Sequence, residues 1–214
     1  EEVKMKYLPW LFTIALLLSC QIVRAEAIFV DTSGSMGDGL QNSSTVPYPL
    51  RRIDLASKFL SYTFSNWELE ETPVVLTWST EPTVVPGGPK ELASYFNRFQ
   101  PEPTGRTMLG KVMMDEYPWA SCVPLLVVTD KRSSDPELFE SILRKYLSRT
   151  SVTIVIVGGV DAARAYDYFR KQSALPHYRV VTIENNSNED VLLELLRQQR
   201  EDDNKPTSGC DLNV

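Results

Sequence analysis

Ala27-Ile28-Phe29-Val30-Asp31-Thr32-Ser33-Gly34-Ser35 decides the reading of this chain. An apolar run with β-branched and aromatic members has the length and composition of a buried strand. It ends in a carboxylate, followed by hydroxyls and a glycine that mark the turn leaving it. Asp31, Ser33 and Ser35 occupy alternate positions, so one turn can aim a carboxylate and two hydroxyls at a common point. Such oxygens are hard donors, better suited to Mg²⁺ or a similar dication than to nucleophilic chemistry.

Outward from that stretch, helix and strand signals alternate. Leu50 to Trp67 carries Ile53, Ala56, Leu60 and Phe64 at helical spacing. Thr72–Ser79 reads as a strand, and a short one follows at Thr83–Val85. Helices are expected at Lys90–Phe99 and Met108–Met114. Val123–Thr129 is apolar on both faces, as in a central parallel strand. Asp135-Pro136 opens a helix, with Asp135 as its cap. Val152–Val157 and Tyr178–Ile183 read as strands around a helix from Asp161 to Ser173. Ser187, with Asp190 three residues on, predicts a capping box for a last helix over Glu189–Arg200. This alternation predicts an α/β fold, a doubly wound and mostly parallel sheet flanked by helices. In such sheets, sites form at the carboxyl ends of strands. The irregular insert Gly37–Pro49 follows the opening motif and should overhang the same edge.

The chain has 214 residues and 43% hydrophobic content, enough for one domain with a real core. Its net charge of -6 argues against general nucleic-acid binding and against adsorption to anionic membranes. Lys4 and Lys6 precede an apolar stretch from Leu8 to Leu18, and Val23-Arg24-Ala25 offers a small-residue cleavage site. Residues 1–25 therefore read as a secretory signal peptide, shorter in its apolar part than a membrane span. The expected location is secreted or periplasmic, in the cell envelope. Leu17-Leu18-Ser19-Cys20 keeps a lipoprotein anchored at Cys20 open as an alternative, and an uncleaved anchor is a third. Residues 26–200 form the expected domain, and 201–214 a polar tail. Cys122 and Cys210 could form one bridge in an oxidising compartment.

Three segments should end at the same sheet edge. They are Asp31-Thr32-Ser33-Gly34-Ser35, the loop Thr104-Gly105-Arg106-Thr107, and Val127-Val128-Thr129-Asp130. Together they offer Asp31, Ser33, Ser35, Thr107 and Asp130 as a metal set, enough with water to fill an octahedron.

With these residues in this order, the chain resembles a von Willebrand factor A (VWA) domain with a metal-ion-dependent adhesion site (MIDAS). The pattern D-x-S-x-S falls on Asp31, Ser33 and Ser35, the later Thr on Thr107 and the later Asp on Asp130. Met36, Arg52-Ile53-Asp54-Leu55-Ala56 and Val75-Leu76-Thr77-Trp78-Ser79 agree with the family, and the resemblance spans roughly Ala27 to Arg200. It implies a Rossmann-like VWA fold and a binding module that holds Mg²⁺, or Mn²⁺ or Ca²⁺. Ser33, Ser35 and Thr107 would bind the ion through hydroxyls, with Asp31 and Asp130 acting through water or by orienting those hydroxyls. The implied partner is a protein presenting a carboxylate, with no small-molecule substrate and no catalysis. Arg106 is a candidate contact to that acidic group. Lys131 follows Asp130 where the family often has Gly, and its ammonium could pair with Asp130 and weaken the metal.

Rival readings are thinner. Asp-Thr-Ser-Gly brushes against an aspartic-protease motif, but no second copy supplies the carboxylate pair. A phosphatase-like, metal-assisted hydrolase would want a proton donor where Ser33 stands. His177, after Pro176 and just before a strand, is the only histidine and reads as a surface or strand-edge residue rather than a catalytic base. A metal-free VWA scaffold, with the same residues forming a hydrogen-bond network, is the remaining alternative.

Overall fold

The computed structural model describes residues 26–40, 50–69, 71–98, 102–159, 162–171 and 175–203. The readings of residues 1–25, of Cys20 and Cys210, of most of the insert and of 204–214 lie outside these.

β1 (Ala27–Asp31) is wholly buried, as a continuously apolar strand must be. It pairs in parallel with β2 (Val74–Trp78) on one side and β4 (Leu125–Thr129) on the other. β5 (Val152–Val157) and β6 (Tyr178–Ile183) extend the sheet in parallel beyond β4. β3 (Pro82–Val85) closes the far edge in the antiparallel sense. The order is β3-β2-β1-β4-β5-β6, so the chain winds one way from β1 and then the other. The reversal lies between β1 and β4, and a crevice opens outside their carboxyl ends.

Side-chain alternation sorts the strands into two cores. Ile28, Val30, Leu126, Val128, Val155 and Val157 face a layer built on α1 (Arg52–Ser65), α2 (Pro89–Arg98) and α7 (Val191–Asp203). Phe29, Val127, Ile154 and Ile156 face the opposite layer of α3 (Leu109–Asp115), α5 (Pro136–Leu147) and α6 (Ala162–Arg170). α4 (Tyr117–Ala120) is a single turn between α3 and β4. At the sheet end away from the crevice, fully buried Glu26 pairs with Arg200 of α7.

The α/β reading thus holds, with two local corrections. Ser187 does not cap the last helix; its hydroxyl accepts the Glu184 N–H at 2.8 Å, and α7 begins only at Val191. Asp135 precedes α5 as expected but makes no side-chain bond to that helix. Its carboxylate is used on α3 instead. Among the described residues no helix is long and apolar enough to cross a membrane.

Candidate functional site

The turn after β1 is held before any ligand arrives. The Ser33 N–H donates to Asp31 Oδ1 at 2.8 Å, an Asx-type bond that folds the turn back on its own carboxylate. Asp31 Oδ2 accepts from Thr129 Oγ1 at 2.6 Å, tying the ends of β1 and β4 together. The Thr32 N–H donates to the Trp78 carbonyl at 2.7 Å, fixing the same turn to β2.

Thr107 arrives on a loop that crosses this turn. The Thr104 N–H donates to the Thr32 carbonyl at 2.8 Å, and the Gly34 N–H to the Gly105 carbonyl at 3.2 Å. Gly105 has φ +73°, and a Cβ there would come within 2.9 Å of Thr80 Oγ1, so the loop requires glycine. Beyond Thr107, the loop after β4 caps α3. Asp135 accepts the Gly110 N–H at 3.1 Å and the Lys111 N–H at 2.7 Å, and Ser133 Oγ accepts the Leu109 N–H at 3.1 Å. Ser133 also donates to Asp135. The Ser134 N–H donates to the Thr107 carbonyl at 2.7 Å. α3 and α5 approach so closely that a Cβ on Gly110 would meet Phe139 N at 2.5 Å. Two carboxylate oxygens and a hydroxyl therefore satisfy the free N–H groups of α3 and set where Thr107 sits.

All five expected residues come together. Ser33 Oγ lies 2.8 Å from Thr107 Oγ1 and 3.2 Å from Ser35 Oγ. Ser35 Oγ donates to Asp130 Oδ1 at 2.9 Å. Asp31, Ser33, Thr107 and Asp130 are buried, and Ser35 is half-buried at the opening. Burial, and then the charge of Asp130, push Asp31 up to about 6, against bonds from Thr129 and Ser33 that act the other way. Arg106 is exposed on the rim beside Thr107. His177 is exposed at the start of β6, its carbonyl accepting the Val152 N–H at 2.9 Å.

The cation paired with Asp130 is not Lys131. Arg52 Nη1 donates to Asp130 Oδ2 at 2.5 Å and to the Ser35 carbonyl at 3.3 Å. The pair is almost fully buried, with side-chain exposures of 6% and 0%. Lys131 lines a neighbouring cleft. Reading Arg52 only as the start of α1 missed this role. One signal was available: a cation in the first turn of a helix opposes the helix dipole, and so calls for an anionic partner.

Among the described residues no three or more of His, Cys, Asp and Glu gather as a metal cluster. Any ion here must be held mainly by hydroxyls, with carboxylates behind them. The donor set is oxygen throughout, which fits hard dications and excludes the nitrogen- and sulfur-rich sites of zinc.

No family model matches the sequence, and no curated protein matches it at a meaningful level. Solved structures do match. A von Willebrand factor type A protein from Catenulispora acidiphila superposes with a TM-score of 0.56 at 16% identity over 82% of this chain. The chain has the von Willebrand factor A fold. It spans 41% of the Catenulispora chain. BatB from Bacteroides thetaiotaomicron matches with a TM-score of 0.54 at 12% identity, over 83% of this chain and 98% of its own. An aerotolerance-related membrane protein from Bacteroides fragilis matches with a TM-score of 0.53 at 11% identity, over 83% of this chain and 99% of its own. These likenesses show the VWA fold alone.

Proposed function

We propose that this chain is a secreted or envelope-associated protein-binding module. It holds a divalent cation, Mg²⁺ or else Mn²⁺ or Ca²⁺, at the carboxyl ends of β1 and β4. The observation that carries the reading is the convergence of Ser33, Ser35 and Thr107 hydroxyls over two buried carboxylates. Ser33, Ser35 and Thr107 would hold the ion. Asp31 orients the turn through the Ser33 N–H, and Asp130 orients the Ser35 hydroxyl. Bound there, the dication supplies an electrophilic position for a carboxylate of a partner protein. Arg106, on the rim, stands where it can make a second contact to that group.

One observation favours a metal-free scaffold as a second reading. Arg52 already places a positive charge against Asp130, so part of the demand for a cation is met from within the fold. Isothermal titration with Mg²⁺ and Mn²⁺ separates the two. Binding by the wild type, lost in Asp31→Ala and Ser33→Ala, supports the metal module. No heat with the wild type, in a chain shown by circular dichroism to be folded, supports the scaffold.

A further inference from the structure

A partner that sets one carboxylate on the hydroxyl cluster must lay its flanking residues across the adjoining surface. Next to Ser35 that surface is a cleft of about 720 Å³. Its floor includes Arg52, whose charge is taken by Asp130. Its walls carry Lys131 and Arg132 from the loop after β4, and Arg164 and Lys171 from α6 and its end. Among the described residues lining it, the acids are two exposed carboxylates, Asp38 and Asp167. The whole chain carries a net charge of -6, so this concentration of cations runs against the average. A local field of that sign draws anionic ligands and turns cationic ones away.

The geometry is that of a groove joined to the candidate site. Arg164, Tyr168 and Lys171 stand four and then three residues apart, so they form one stripe along α6 and the turn that ends it. The Tyr168 hydroxyl is buried and has no hydrogen-bond partner among the described residues. Burial, and then the charges of Glu140 and Asp135, hold its ionisation near 12, so at neutral pH it is a hydroxyl able to donate. Ser35 belongs both to the hydroxyl cluster and to the cleft wall. A single extended chain can therefore engage the two together.

We infer that this cleft binds an acidic segment of the partner protein, seating carboxylates that flank the one held at the hydroxyl cluster. The inference rests on the partner-binding reading above, but its chemistry is separate from the metal. The test uses fluorescein-labelled oligoglutamate and fluorescence anisotropy, with oligolysine as the control. The full chain is compared with an Arg164→Glu/Lys171→Glu variant, a Lys131→Ala/Arg132→Ala variant and Asp31→Ala. Oligoglutamate should bind the wild type, and the charge reversal on α6 should weaken it by about tenfold or more at low salt. Oligolysine should not bind. Chelation with EDTA and Asp31→Ala should weaken binding further without abolishing the salt-dependent part. If oligoglutamate binds but both cleft variants leave its affinity unchanged, the cleft is not the site, whatever happens to the metal. If the cleft variants abolish binding while EDTA and Asp31→Ala do nothing, the cleft stands and the metal reading falls. Absence of oligoglutamate binding to folded wild type overturns the cleft. So does displacement of oligoglutamate by inorganic phosphate at far lower concentration than by free glutamate, since the cleft would then be a phosphate site.

Discussion

Arg52→Met tests the site's electrostatics directly. The substitution keeps much of the side chain's bulk but removes the guanidinium that pairs with Asp130 at 2.5 Å. Asp130 has no exposed side-chain surface, so in the absence of metal it is left as a buried, uncompensated anion. Breaking a buried pair in this way costs about 3–5 kcal/mol. For a domain of this size each kcal/mol moves the melting temperature by roughly 2–4 °C, which places the metal-free loss at roughly 6–20 °C. The neighbouring Arg51→Met is the control. Arg51 pairs with Asp54 at 2.6 Å, but its side chain is 40% exposed, so that pair should be worth under about 1 kcal/mol. Added Mg²⁺ should then act in opposite proportion. Removing the unit charge beside Asp130 should strengthen the binding of an ion held there by on the order of 1–2 kcal/mol at an effective dielectric of ~20, roughly tenfold in affinity. Differential scanning calorimetry in EDTA, and then across a Mg²⁺ titration, reads both effects. Arg52→Met should melt well below the wild type without metal and recover most of the difference with it. Two outcomes refute the reasoning. One is a metal-free loss no larger than that of Arg51→Met. The other is a Mg²⁺ response of the same size in Arg52→Met and wild type.

Two further outcomes follow from the same geometry. Asp135→Ala removes the acceptor for the Gly110 and Lys111 N–H groups. It should cost about 1–2 kcal/mol in urea unfolding and weaken Mg²⁺ binding through Thr107, although Asp135 is not itself in the ligand set. At alkaline pH the tyrosines decide stability. Burial raises Tyr146 and Tyr178 above the ordinary 10.0 in the folded chain. Their contribution is complete below pH 10 and is lost as pH climbs toward their folded values, since the unfolded chain ionises first. The unfolding free energy should fall from about pH 10 upward in urea titrations. Tyr146→Phe should flatten that fall, at the cost of the bond from its hydroxyl to the Met113 carbonyl at 2.9 Å.

The strands were legible where both faces are buried. β1 and β5 fall on their expected residues because an apolar run with no polar alternation has few other homes in an α/β domain, and the half-buried edge strand β6 does so through its β-branched residues. β4 begins at Leu125, two residues after the expected Val123, because Pro124 has no N–H for the ladder. Caps were less legible. Asp135 and Ser187 look like caps of the helices that follow them, but Asp135 takes N–H groups of α3, far along the chain, and Ser187 closes the turn behind it on Glu184. Sequence spacing records only neighbours along the chain. The hydroxyl set was legible because the turn after β1 is local and the strand ends are fixed by the fold. Arg52 was not, because its partner lies 78 residues away and only the packing of α1 against the end of β4 reveals it.

β1 has a hydrogen-bonded neighbour along both edges. Its amides can exchange with solvent only when the sheet itself comes apart, so Asp31 sits in the most slowly opening part of the molecule. The loop bearing Thr107 is secured mainly by single backbone bonds, at Thr32, Gly34, Ser79 and Ser134. One half of the site thus shares the lifetime of the whole fold, while the other half can open on its own. Hydrogen–deuterium exchange should show two widely separated rates across a few ångströms. Association with a ligand will be timed by the Thr107 side, and any substitution that weakens the sheet will shorten the life of the Asp31 side.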